Sequence, residues 1–112
     1  MAQYILFFNQ EWVGEHTEEW FRSRGPLAAA CVEEMKAAGV YVFAGGLEEH
    51  GPVYAVDPTG DDVLVTDGPF TETREVLGGF AVVDVADDAT AKEWGARIAE
   101  ACGWPHEIRR VS

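Results

Sequence analysis

Residues 66–79 read Thr-Asp-Gly-Pro-Phe-Thr-Glu-Thr-Arg-Glu-Val-Leu-Gly-Gly and hold the densest set of groups able to do chemistry. Asp67, Glu72 and Glu75 are carboxylates, and Arg74 is a fixed cation among them. Close carboxylates raise one another's pKa, which makes one of them a general acid or base. Asp67 is the first candidate for that role, with Glu72 as an assistant. Arg74 would hold an anionic substrate group or neutralise the carboxylates. Asp67 also precedes Gly68-Pro69, where an aspartate is a good turn former, so a purely structural role competes with the catalytic one. A helical turn after the Gly-Pro would put Glu72 and Glu75 on one face at i,i+3 spacing. Held together, the three carboxylates offer oxygen ligands to a hard cation, but their spacing matches no recognised metal site, and none is expected.

His50 follows Glu48-Glu49 and precedes Gly51-Pro52, which puts it in a loop. Neighbouring carboxylates suit it to proton transfer, and an ordinary exposed histidine is the alternative. His16 reads as a solvated loop residue and His106 as a structural one. Trp12 and Trp20 flank a polar connection and could wall a pocket or pack in a core. The chain has no P-loop, dinucleotide fingerprint, nucleophile elbow or HExxH motif, so no cofactor is expected.

These groups need a scaffold. The 112 residues suggest one domain over 1–112, and the 47% hydrophobic content is that of a globular chain. A chain of this size can bury roughly two-thirds of its unfolded surface. Tyr4 to Phe8 is an apolar, aromatic run that reads as a buried strand. Thr17 is a candidate helix cap, and Gly25-Pro26 either separates two helices or kinks one. Leu27, Ala30, Cys31, Met35 and Ala38 recur at helical spacing up to the stop at Gly39. Tyr41–Ala44 is a second strand. Val53–Val56 and Val63–Val65 flank Asp57-Pro58-Thr59-Gly60-Asp61 as a hairpin. Residues 79–85 form a further strand. Asp87 or Asp88 then caps a helix with Ala91, Trp94, Ile98 and Cys102 on its apolar stripe, ended by Gly103 and Pro105. Glu107–Val111 alternates like an edge strand blunted by arginines.

With the hairpin set aside, the order is β-α-β-β-α-β, the ferredoxin-like α+β plan. Right-handed crossovers put both helices on one face of the sheet. Yet the strands at 4–8, 41–44 and 80–83 are apolar at both parities, whereas a wet face should alternate. The second face therefore needs cover, and a second copy of the sheet supplies it, giving a homodimer with sheets packed face to face.

The formal charge of −12 argues against nucleic acid, which needs a basic surface, and against anionic membranes. No apolar stretch approaches the ~20 residues that span a bilayer. The first residues lack a basic leader, and a cytoplasmic location with free Cys31 and Cys102 is expected.

Several motifs, in order, carry a family resemblance. These are Met35-Lys36-Ala37-Ala38-Gly39-Val40, Gly45-Gly46-Leu47, Val63-Leu64-Val65-Thr66-Asp67-Gly68-Pro69-Phe70, Glu72 with Arg74-Glu75, and Leu77-Gly78-Gly79-Phe80. The chain resembles the YCII-related (DGPF-domain) family over nearly its whole length. The resemblance implies a dimeric α+β barrel and matches Asp67 to the motif aspartate. It further implies a small-molecule cleft near Asp67 with a His–Asp pair, the histidine being His16 or His50, so that Asp67 is the acid or base and His50 or Glu72 assists. Arg74, Glu75, Phe70 and Trp12 would contact the substrate. A second implication is a non-catalytic ligand-binding or regulatory module working beside an extracytoplasmic-function sigma factor. A monooxygenase or isomerase activity rests on fold analogy alone.

Overall fold

The computed structural model describes residues 1–112. Its elements run β1 (Ala2–Asn9), a 3-10 turn (Gln10–Val13), α1 (Glu18–Ala37), β2 (Tyr41–Gly46), β3 (Tyr54–Asp57), β4 (Leu64–Asp67), β5 (Leu77–Val85), α2 (Asp88–Cys102) and β6 (Glu107–Arg110). Strands β2-β5-β1-β6 form one sheet whose paired neighbours are all antiparallel, and β3-β4 form a separate ribbon. This α+β arrangement is compatible with the ferredoxin-like plan. No helix is long and apolar enough to cross a membrane.

Local chemistry explains the element ends. The Thr17 hydroxyl accepts from the Trp20 N–H at 3.1 Å and opens α1. Asp87, not Asp88, caps α2 by accepting from the Thr90 N–H at 2.8 Å, and Gly103 closes that helix at φ 68°. Pro26 lies inside α1, which runs through it as one helix, so Gly25-Pro26 does not divide the segment. The buried stripe of α1 is Cys31 and Met35, flanked by half-buried Ala28 and Val32. Leu27, assigned to this stripe by its spacing, is 46% exposed; the helix is rotated so that Leu27 and Ala30 border the groove towards α2.

The core lies between the sheet and the two helices. Tyr4, Leu6, Ala81, Val83 and Val85 point up from β1 and β5 to meet Cys31, Met35, Ala91, Trp94 and Ile98. The Tyr4 hydroxyl donates to the Asp88 carboxylate and ties β1 to the first turn of α2.

Residues of the opposite parity occupy the other face. Ile5, Val82 and Phe43 pair across β1, β5 and β2, and Phe7 pairs with Phe80 in the next row. The Phe43 and Phe80 rings are 5.8 Å apart, and Phe43 is 55% exposed. Only Trp12 of the 3-10 turn packs on this surface, against Phe7, and no helix covers it. The chain exposes 7793 Å², against the roughly 6,100 Å² of an ordinary monomer of its mass. Its radius of gyration is 16.1 Å, where about 13 Å is usual. The β3–β4 ribbon accounts for part of both excesses, because its strands pack on each other and hardly at all on other elements.

Candidate functional site

The segment after Gly68 is built from turns rather than from a helix. Gly68 takes φ 87°, which a residue with a Cβ adopts only with strain, and its N–H bonds the Val53 carbonyl at 2.7 Å. That bond closes the end of the ribbon. The Thr73 N–H then bonds the Phe70 carbonyl at 3.0 Å in a single turn. The helical turn considered for residues 72–75 is absent, so Glu72 and Glu75 do not share a helical face.

Glu75 and Val76 are pinned to the end of β1. Asn9, itself buried, donates its side-chain N–H to Glu75 Oε2 at 2.9 Å. The Gln10 N–H bonds the Val76 carbonyl at 2.8 Å, and the Val76 N–H donates to the Glu11 carboxylate at 3.2 Å. The Leu47 N–H bonds the Gly78 carbonyl at 2.8 Å, fastening the segment on its other side. An ordered floor results, although the segment has little regular secondary structure.

Over that floor lies an open cleft of about 750 Å³. Leu47, Val53, Tyr54, Phe70, Val76 and Leu77 form its apolar walls, and Glu48, Glu49 and Glu75 are its ionisable carboxylates. No basic side chain lines it. Such a cleft has an apolar body and a negative rim, which suits a ligand with an apolar part and a cationic or hydrogen-bond-donating group.

Of the residues expected at the site, Phe70 and Glu75 line this cleft. His50 lies within the stretch 47–55 that forms one wall but is not itself a lining residue, and it is exposed. Asp67 ends β4 opposite Tyr54, exposed and just outside the lining. Its carboxylate accepts no hydrogen bond within the chain, in contrast to Asp57, whose carboxylate takes both the Thr59 N–H and hydroxyl. The turn is thus closed by main-chain groups, and the Asp67 side chain is unused by it. Glu72 is exposed beside Thr71, and Arg74 is exposed with no carboxylate within ion-pair distance. Trp12 packs on Phe7 with ring centroids 6.1 Å apart, near the open sheet face rather than in the cleft. Within one chain, no three of the acidic, histidine and cysteine side chains converge as metal ligands would. Sequence reasoning missed Leu47, Val53 and Tyr54 as cleft walls. The signal for Val53 and Tyr54 was present in the apolar run 53–56, whose outer face the ribbon leaves uncovered.

A family model for the YCII-related domain matches residues 22–103, from the first turns of α1 to the residue that closes α2. No curated protein matches the chain.

Proposed function

The chain belongs to the YCII-related family, and on that premise we propose that it works as a homodimer that holds a small molecule in the cleft beside Asp67–Leu77. The observation that carries the reading is the lining of that cleft: apolar walls with Glu48, Glu49 and Glu75, and no cation among them. The ligand it suits is an aromatic or branched apolar molecule bearing an amine or another donor. Asp67 is the acid–base candidate, because its carboxylate is free of the turn it adjoins and lies next to the cleft. His50 and Glu72 are its assistants at the rim. The homodimer is supported by the bare Ile5, Phe7, Phe43, Phe80 and Val82 face.

The test is a thermal-shift comparison of phenethylamine with phenylacetate, which share a ring and differ in charge. Phenethylamine should raise the melting temperature by several degrees at saturating concentration, and phenylacetate should not. Glu75→Gln should remove most of the shift. Stabilisation by the anion instead, or an unchanged shift in Glu75→Gln, sinks the cationic-ligand reading. Asp67→Asn separates catalysis from binding. Retained binding with lost turnover of a converted ligand assigns Asp67 the acid–base role; a fully active variant removes it. A regulatory module beside a sigma factor would use the same cleft for a protein segment, and retention of a purified sigma factor on the immobilised protein tests that role.

A further inference from the structure

A second cavity lies on the other side of the sheet, between β1, β2, β5 and the two helices, with a volume of about 340 Å³. It exists because small residues stand where core side chains would otherwise meet: Ala28 and Ala29 on α1, and Ala44, Gly45 and Ala81 on the strands. Phe8, Val32 and Ile98 form its larger walls. The pocket is a groove open to solvent along one side, where Ala29, Glu33 and Gly46 are exposed. A dry cavity of about 150 Å³ accommodates benzene, so this one has room for a two-ring molecule.

Its polar groups are few. His106 lines one end, its ring 5.2 Å from that of Phe8. The ring is fixed through Nδ1, which is 2.7 Å from the Trp104 carbonyl. A carbonyl only accepts, so Nδ1 must carry the proton, and in the neutral ring Nε2 is then a bare acceptor. Trp104 is held in turn by its indole N–H, which donates to the Asn9 carbonyl at 2.8 Å. Cys102 also lines the cavity, and burial pushes its thiol up to about 11, so it stays neutral. Glu33 stands at the rim with its charge offset by Lys36 at 3.2 Å.

We propose that this cavity is a binding site for a small, neutral, two-ring aromatic molecule with one hydroxyl or N–H donor, which it gives to His106 Nε2. The walls select an apolar body, the Glu33 carboxylate at the rim disfavours an anion, and the His106 acceptor favours a donor. The site is separate from the cleft beside Asp67 and needs none of its residues.

Calorimetric titration of the full-length protein at pH 7.5 with 2-naphthol, naphthalene and 2-naphthoate tests this. 2-Naphthol should bind saturably, about five-fold or more tighter than naphthalene, as one neutral hydrogen bond allows. 2-Naphthoate should bind at least ten-fold more weakly than 2-naphthol. His106→Phe should abolish the preference for 2-naphthol over naphthalene, while Glu18→Gln, exposed at the start of α1 and outside the site, leaves it unchanged. Ala44→Phe, or Ala28→Met if the first does not fold, should fill the cavity and weaken 2-naphthol at least ten-fold. Absence of saturable 2-naphthol binding to the unmodified protein overturns the proposal. So does a preference that survives His106→Phe or disappears in Glu18→Gln.

Discussion

Asp67 and Asp87 are the same residue type put to different uses. Asp87 accepts from both the N–H and the hydroxyl of Thr90, and these bonds hold its carboxyl below the usual range. Asp67 accepts from nothing within the chain. Asp87→Ala should therefore lower the urea midpoint measurably, and Asp67→Ala should leave it within error. Asp57 resembles Asp87, its carboxyl lowered by Thr59. For both, the folded state favours the charged form. Their stabilisation is complete above about pH 4 and is lost as the pH falls through their lowered values. His106 acts in a different window. Burial lowers its pKa, so below about pH 6.5 the unfolded chain takes up the proton first and stability falls on acidification. Urea titrations from pH 7.5 to 5 should show this decline, and His106→Phe should flatten it. An unchanged slope in that variant would place the titrating group elsewhere.

At the scale of elements, the strands and caps were largely legible in the sequence, because each rests on neighbours along the chain. Thr17, Asp87 and Gly103 mark helix ends through bonds within a single turn. What was not legible depends on distant partners. The rotation of α1 that leaves Leu27 exposed is set by packing against α2. The extended path of residues 72–76 is set by Asn9, Gln10 and Glu11, more than sixty positions away. Gly78 and Gly79 also show a long-range cause. The Phe8 ring lies across them, and a Cβ at Gly79 would sit 2.8 Å from it. Gly79→Ala should therefore cost about 1–3 kcal/mol by displacing that ring. The β3–β4 ribbon is the opposite case, an element supported almost only by itself. An isolated two-stranded hairpin is marginal in water. Hydrogen exchange at 54–57 and 64–67 should run at least a hundred-fold faster than at 81–85, where the sheet is paired on both sides. Equal protection would mean that the ribbon is docked on a partner.

For the whole molecule, the two faces of the sheet set the behaviour in solution. One face is buried under helices, and the other carries exposed Phe43 beside half-buried Phe80. Light scattering should give twice the 12.3 kDa chain mass at micromolar concentration, and Phe80→Asp should halve it by placing a charge in the proposed interface. A monomeric unmodified protein would remove the dimer while leaving both cavities to be tested separately. The strand order has one more consequence, for synthesis. β1 is made well before its only partners, β5 and β6, whose residues begin at Leu77 and Glu107. While α1 can form locally as it emerges, the aromatic strand Tyr4–Phe8 has no mate until most of the chain has left the ribosome. Closing that long loop is the slow step that topology imposes. The nascent chain therefore carries an unpaired apolar strand until those partners are made.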